Sequence, residues 1–189
     1  MSSPAFRVLE RYPRLTILHH READGTLWGT SGRAVLARRD GRWQTIARLP
    51  FAMPRDLFSF ARPLARAARS DKCNVIVNSA GLALAIRAGQ VYALRGSRPK
   101  PLFTIQGDSV LHRGLCEDEQ GWVYFGEYFM NPGRGPVRIW RVAADGNHWE
   151  TAYEFPAGSI RHVHGVFRDP YDPAALWAAV GDLGGECYL

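Results

Sequence analysis

The stretch Gly121-Trp-Val-Tyr-Phe-Gly-Glu-Tyr-Phe129 is a dense run of aromatic and β-branched residues. Such residues favour extended strands, whereas the following Asn131-Pro-Gly-Arg-Gly-Pro136 cannot lie inside a regular element. After this break, Val137-Arg-Ile-Trp-Arg-Val142 alternates apolar and basic residues, Asp145-Gly-Asn147 predicts a turn, and Trp149 to Phe155 alternates again. Together these features predict an antiparallel β-meander.

The same pattern of short strands and tight turns recurs along the chain, with a period of roughly 40 to 50 residues. It predicts an all-β fold, a β-propeller-like array of antiparallel four-stranded blades in one domain spanning residues 1–189. The predicted blades cover residues 15–50, 72–106 and 109–156, with a partial blade at 159–189. A short helix is expected near residues 56–68, where the apolar period lengthens, with an interruption near Pro63.

The pattern also predicts the bounds of one loop and of the inner strands. Residues 96–101 are expected to form a loop, and residues 111–117 the inner strand of the third blade. Residues 160–166 would form the inner strand of the partial blade, whose third strand would begin near residue 186. Because a closed propeller needs about four to eight blades, this pattern predicts a partial reading frame. An open arc of blades, or a smaller arrangement of the same meanders, is the alternative.

Composition and charge narrow the class of protein. The chain has 189 residues, of which 46% are apolar, which is typical of one globular domain. Residues 1–100 carry 18 Lys or Arg against 6 Asp or Glu, a net +12, whereas residues 101–189 carry 6 against 12, a net −6. The arginines are spread through turns and strands without a recognition helix or stacking platform, so nucleic acid is not an expected partner.

The sequence also predicts the cellular location of the protein and the role of its cysteines. We find no stretch with the pattern of a signal peptide and no apolar run near the roughly 20 residues of a membrane span, so a cytoplasmic location without membrane contact is expected. The three cysteines, Cys73, Cys116 and Cys187, follow no metal-binding spacing. They are interpreted as small core residues.

Several stretches in order resemble the sialidase-like propellers with BNR or Asp-box repeats, in a largely uncharacterised bacterial branch. They are the run from Gly121 to Pro132, Val137-Arg-Ile-Trp140, Asp145-Gly-Asn-His-Trp149 and Phe155-Pro-Ala-Gly-Ser-Ile-Arg-His-Val-His164. The resemblance covers residues 73–189 well and residues 15–50 weakly, and it implies the propeller fold. Residues 142–149 keep the turn and the Trp of an Asp-box but lack its Ser and Thr, and such boxes stabilise hairpins far from the sialidase site. No arginine triad of the sialidase type is assigned.

Candidate site residues follow from strand phase. His162 and His164 are two apart on a predicted inner strand, so both side chains should point to one face. Glu127 and Asp182 lie near glycines in neighbouring blades, so they could converge with the histidines at the channel. We therefore assign Glu127, His164 and Asp182 as candidate catalytic residues. The candidate substrate-binding residues are Arg113, Tyr128, Arg161 and His162.

Two function classes remain open from the sequence. The first is a ligand-binding or interaction scaffold, with a small-molecule or carbohydrate ligand and self-association through open blade edges. The second is a hydrolase acting on glycosides or lactones at the propeller channel. No cofactor or metal ligand is assigned, although the spacing of the two histidines is compatible with a divalent metal ion. The alternative for this cluster is structural, since His and carboxylate side chains also tie neighbouring strands together.

Overall fold

The computed structural model describes residues 12, 15–58, 62–67, 70–182 and 184–187. These residues form three four-stranded sheets and one two-stranded sheet, all antiparallel, in which the strands follow chain order. Sheet one contains β1 (Ile17–Arg21), β2 (Leu27–Ser31), β3 (Ala34–Arg39) and β4 (Arg42–Arg48). Sheet two contains β5 (Asn74–Val77), β6 (Ala83–Arg87), β7 (Gln90–Arg95) and β8 (Arg98–Thr104). Sheet three contains β9 (Leu115–Glu117), β10 (Val123–Gly126), β11 (Val137–Val142) and β12 (Trp149–Phe155), and sheet four β13 (Val163–Arg168) and β14 (Leu176–Val180).

The predicted all-β, blade-like architecture is confirmed, and the three complete sheets share an irregularity that marks them as repeats. In each, one residue of the outermost strand is passed over in the pairing with its neighbour. The passed-over residues are Ile46, Leu102 and Ala152. A β-bulge of this kind bends the strand and increases its twist. The outer strand pair therefore has the same shape in all three sheets.

Sheet two lies between its neighbours, and its strands β5, β6 and β7 are buried on both faces. Val75 and Val77 pack in a cluster with residues of sheet one, whereas Ile76 between them packs in a cluster with residues of sheet three. Ala85 and Ile86 divide in the same way. Successive side chains of a strand point to opposite faces, so a strand in the middle of a stack reads as a continuous apolar run. A third cluster joins sheet three to sheet four.

The region between sheets one and two differs in detail from the prediction. A 3-10 turn at Arg55–Phe58 precedes α1 (Arg62–Ala67), and the predicted residues 59–61 and 68 lie outside the described residues. Pro63 lies in the first turn of α1, where its missing N–H is not needed, so it does not interrupt the helix. The 3-10 turn is held to sheet two because Arg87 Nη1 donates a 3.0 Å hydrogen bond to Asp56 Oδ2.

Two strand boundaries are also corrected. The predicted loop at residues 96–101 is wrong, because β8 begins at Arg98 and includes Pro99 and Pro101. Proline is tolerated there because β8 is the outer strand of its sheet and pairs on one side only. At the other end of the chain, Glu186 lies in a turn formed by residues 184–186, although the third strand of the partial blade was expected to begin there. Residues 188–189 lie outside the described part.

The cysteines are only partly core residues. Cys73 is buried, and burial raises the pKa of its thiol to about 12. Cys116 is half-buried, and burial followed by the charge of Asp118 raises its pKa to about 12. Cys187 is exposed, so the prediction of a core position is wrong for it. Neither Cys73 nor Cys116 supplies a thiolate at neutral pH.

The first strand of each sheet, here called the inner strand, brings neighbouring sheets together. β1 contacts β5, and β9 contacts β13. The predicted inner strand at 111–117 is shorter than expected, because residues 112–113 form a turn before β9. This turn packs closely on β13, since a Cβ built on Gly114 would lie only 2.6 Å from the carbonyl oxygen of His164. The inner strands therefore position the candidate functional groups of separate sheets side by side.

Candidate functional site

The histidines of sheet four are positioned by the start of β13. His162 precedes the strand, which begins at Val163, so the predicted regular strand at 160–166 is wrong in its boundary. Within the strand, Val163 pairs with Val180 and Gly165 with Ala179, so His164 is passed over. This second type of bulge, on an inner strand, redirects the His164 side chain. The two imidazole rings lie 4.8 Å apart between centroids, in an edge-to-face arrangement.

His162 is buried, and its hydrogen bonding defines its tautomer. Its Nδ1 lies 3.0 Å from the carbonyl oxygen of Phe129, which can only accept, so Nδ1 carries the proton. The second nitrogen, Nε2, lies 3.3 Å from Asp182 Oδ2. The alignment of this pair is not that of a hydrogen bond, and Nε2 has no hydrogen-bond partner among the described residues. In the Nδ1-protonated neutral form, the imidazole of His162 directs the Nε2 lone pair towards the carboxylate, whereas the doubly protonated form pairs with it.

Asp182 is the group on which the cluster converges. Its Oδ1 lies 3.0 Å from His164 Nε2, and its Oδ2 lies 3.3 Å from Arg161 Nη1. His164 Nε2 also donates to the carbonyl oxygen of Gly181 at 2.7 Å. Partial burial alone would raise the pKa of Asp182, but His162, then His164 and then Arg161 outweigh it and hold that pKa below its usual value. Asp182 is therefore an ionised carboxylate at neutral pH.

Tyr128 covers the two histidines. Its ring centroid lies 4.2 Å from that of His162 and 5.7 Å from that of His164. Arg161 extends past the cluster, and its Nη2 lies 3.0 Å from the Met130 sulfur. Four of the predicted site residues are therefore in contact around Asp182. They are Tyr128, Arg161, His162 and His164.

The set formed by His162, His164 and Asp182 has the composition of a metal site. One potential ligand atom from each residue lies within 4.8 Å of the others, and in the described part of the chain only these residues meet this condition. The side chains of His164 and Asp182 are 30% and 33% exposed, so the cluster is accessible from solvent. Two imidazoles and a carboxylate are ligands that Zn²⁺ accepts, whereas Mg²⁺ and Ca²⁺ prefer oxygen atoms alone.

Glu127 is not part of this cluster through its side chain. The carboxylate is fully buried and accepts hydrogen bonds from Gln106 N, Arg138 N and Trp140 Nε1, at 2.9, 3.0 and 3.1 Å. Its backbone carbonyl accepts from Val163 N at 2.9 Å. These bonds tie sheet three to the end of sheet two and to β13, and the described contacts give Glu127 a structural role. The sequence places Glu127 beside Gly126 but does not reveal which way its side chain points.

Arg113 lies in a different place, a cleft of about 100 Å³ bordered by β1, β5 and the turn before β9. We call it the inner cleft, and its polar lining consists of His19, His20, Asn74, His112 and Arg113. The sequence analysis did not select His19, His112 or Asn74. Strand phase could have found His19, because it stands on the inner strand of sheet one as His164 does on that of sheet four.

Comparison with known proteins gives no independent assignment. Neither the protein-family models nor the curated proteins searched contain a match to this chain. In the described residues, no helix has the length and apolar character required to cross a membrane. The function is therefore inferred from the geometry of the site.

Proposed function

We propose that this chain is a ligand-binding, propeller-like protein whose His162, His164 and Asp182 hold a divalent transition metal ion, with Zn²⁺ as the best match. The observation that carries the proposal is the orientation of His162. Its Nδ1 donates to a backbone carbonyl while its buried Nε2 faces Asp182 without a hydrogen bond. In metal sites, the second ring N–H of a bound histidine commonly donates a hydrogen bond to a backbone carbonyl in this way. A cation between Nε2 and the carboxylate would be bound by the imidazole lone pair and the negative charge together.

Three protein ligands leave a tetrahedral ion with one free position, as in zinc sites that bind a ligand or water. Arg161 and Tyr128 contact the cluster, and they could supply a cation for a carboxylate group and an aromatic face for an apolar or sugar ring. A small carboxylated molecule or a carbohydrate would therefore be the ligand class. Metal binding by His164 Nε2 would replace its hydrogen bond to the Gly181 carbonyl.

The test is calorimetric titration of Zn²⁺ into protein pretreated with a chelator. We expect about one ion per chain, and His162→Gln and Asp182→Asn should each lower the affinity by about 100-fold or more. The matched control is His148→Gln, because His148 is an exposed imidazole that also lies near a carboxylate, 3.4 Å from Glu150. Equal Zn²⁺ affinities for His162→Gln and His148→Gln, in variants with the wild-type circular dichroism spectrum, would contradict the proposal.

A second candidate function is hydrolysis of lactones or glycosides at the same place. It is favoured by the partial exposure of His164 and Asp182, which leaves the candidate metal position open to water. A zinc ion in such a site lowers the pKa of bound water to about 7 and polarises carbonyl groups. Arg161 would orient an anionic substrate. Zn²⁺-loaded protein should then hydrolyse members of a lactone and glycoside panel, and Asp182→Asn should not, whereas binding without turnover would leave only the scaffold function.

A further inference from the structure

Sheet four has one edge that sheet three covers and one edge that is unpaired. On the covered side, Val163 N of β13 donates to the Glu127 carbonyl at 2.9 Å, and Val166 N donates to the Gly114 carbonyl at 3.2 Å. On the other side, β14 pairs with β13 alone, and within the described residues no backbone hydrogen bond reaches its second edge. This edge of β14 is therefore available to another strand.

The backbone groups at this edge follow from the hydrogen bonds at the two ends of β14. The Ala175 carbonyl accepts from Asp169 N at 3.1 Å, and Gly181 N donates to the His162 carbonyl at 3.1 Å, so both of these residues face the side of β13. Backbone groups of successive residues in an antiparallel strand face opposite edges. The N–H and C=O groups of the alternate residues therefore face the unpaired edge, and they belong to Leu176, Ala178 and Val180.

β14 lacks the features that protect the outer edges of the other sheets. Natural edge strands avoid pairing with a second chain by means of charged residues, prolines and bulges. Each of the outer strands β4, β8 and β12 contains a bulge together with charged residues or prolines, namely Arg42 and Arg48, Pro99 and Pro101, and Glu150 and Glu154. Leu176-Trp-Ala-Ala-Val180 contains no proline and no charge, and the bulge of its sheet lies on β13.

The absence of charge favours a second copy of the chain as the partner. When two identical strands pair antiparallel about their middle, residues at equal distances from the middle lie opposite each other. In β4 this arrangement would place Arg42 against Arg48 of the second copy, and like charges directly opposite are destabilising. β14 brings no such charges together. Two copies would form a sheet in the order β13-β14-β14-β13, with four strands as in each complete sheet of the chain.

An exposed aromatic side chain lies beside the unpaired edge. Leu176, Ala178 and Val180 pack in the cluster that joins sheet four to sheet three, so Trp177 lies on the opposite face of β14. Trp177 is 45% exposed, and its cross-strand neighbour Phe167 is 43% exposed. Side chains on paired strands contact each other across the pair, so Trp177 would lose exposed apolar surface against a second β14.

We propose that β14 is a self-association edge, through which two copies of the chain pair as antiparallel strands about a two-fold axis near Ala178. Backbone hydrogen bonds at the edge hold the two strands together, and the contact of Trp177 with the second copy adds apolar burial. The interface consists of one short strand from each copy, so the dimer is weak and depends on protein concentration.

The experiment is analytical ultracentrifugation of metal-free protein over a range of concentrations. We expect a monomer–dimer equilibrium with a Kd at or below about 200 µM. Trp177→Lys should weaken the dimer by about tenfold or more, because it removes the apolar contact and places a charge at the edge. The matched control is Tyr153→Lys, which changes a 55% exposed aromatic residue of the outer strand β12 and should leave the Kd unchanged.

Amide hydrogen exchange of the wild-type protein locates the contact without a variant. When about three quarters of the chains are dimeric, the Ala178 amide should exchange about fourfold more slowly than in dilute protein, because only the monomer exposes it. The Trp177 amide faces β13 and should exchange equally at both concentrations. A chain that stays monomeric up to about 1 mM would overturn the proposal. Equal dimer affinities of the two lysine variants would also overturn it, as would a dimer in which exchange at Ala178 is unchanged.

Discussion

His19 and His164 occupy the same kind of backbone position in two inner strands, yet their neighbours give them opposite chemistry. Each is passed over in the strand pairing, His19 between Leu18 and His20 and His164 between Val163 and Gly165. A bulge frees the side chain from the alternation of the strand and redirects it. The bulge supplies the position, and the neighbouring groups decide what the histidine can bind.

The two histidines differ in whether a carboxylate lies beside the imidazole ring. His164 has Asp182 at 3.0 Å, and the cluster is open to solvent. His19 instead has the neutral Thr30 hydroxyl at 2.9 Å, and burial, followed by the nearby His112, lowers its pKa to about 3. His19 is therefore uncharged across the physiological range. One bulge histidine can share a cation with a carboxylate, whereas the other remains neutral beside a hydroxyl group.

The largest expected effect comes from placing a carboxylate in the inner cleft. Asn74 is buried, and its Nδ2 donates to Ser109 Oγ at 2.9 Å and to the Val110 carbonyl at 2.7 Å. Asn74→Asp removes both donors and leaves a charged oxygen against a carbonyl, so the free energy of unfolding should fall by about 3 kcal/mol. Urea unfolding measures it. Gln44→Glu, which adds the same charge at an exposed site, is the control and should change little.

The next effect tests whether the two regions are mechanically separate. Gly114→Ala would place a Cβ 2.6 Å from the His164 carbonyl oxygen and 2.9 Å from Gly165 Cα, both backbone atoms that cannot move alone. We expect a loss of about 2 to 3 kcal/mol of stability, together with a lower Zn²⁺ affinity. Gly133→Ala is the control, because nothing lies within 4 Å of a Cβ there. A loss of stability with an unchanged Zn²⁺ affinity would show that the two regions are separate.

The pH dependence of stability distinguishes the neutral histidine from the paired one. Because the folded-state pKa of His19 is lowered from 6.5 to about 3, the unfolded chain binds more protons between these values. The contribution of His19 is complete above pH 6.5 and is lost as pH falls, by about 2 kcal/mol between pH 7 and pH 5. Urea unfolding of His19→Gln should lack this slope. His148→Gln should retain it, and an equal slope in the two variants would contradict the assignment.

The smallest effect is expected from the carboxylate of the cluster in metal-free protein. Asp182 is a third exposed, and solvent screens its ion pairs, so Asp182→Asn should change the free energy of unfolding by less than about 1 kcal/mol. Thermal unfolding with and without Zn²⁺ measures this. Wild-type protein should be stabilised by the metal ion, and the variant should not. A large destabilisation of the metal-free variant would instead make Asp182 a structural tie between strands.

Much of the fold could be predicted from local pattern. The alternation in Val137–Val142 and the aromatic run around Tyr124 each predict a strand. Both strands are present in the structure, as β11 and β10. The sequence predicts a loop in place of the start of β8 because Pro99 and Pro101 are typical of loops. Such prolines fit a strand when it lies at the edge of a sheet, which the sequence does not show. Sequence shows propensity, whereas the position of a strand within its sheet depends on tertiary packing.

The candidate site was less accessible to sequence reasoning. A regular strand predicts that His162 and His164 share one face, but they converge through a bulge and through Asp182 beyond β14. Glu127 was included because of its place in the chain, and its side chain in fact points to Gln106 and Trp140. Contacts between distant segments fix these directions, and a single sequence does not encode them in any local pattern.

The repeated bulges at Ile46, Leu102 and Ala152 have a consequence for protein engineering. Each of these residues stands outside the pairing of its sheet, so replacing its side chain leaves the neighbouring cross-strand pairs in place. Ala152 is exposed and is therefore a suitable point for grafting a new metal ligand or a spectroscopic label, whereas Ile46 and Leu102 pack against hydrophobic clusters. An insertion elsewhere in these strands would turn every following side chain to the opposite face.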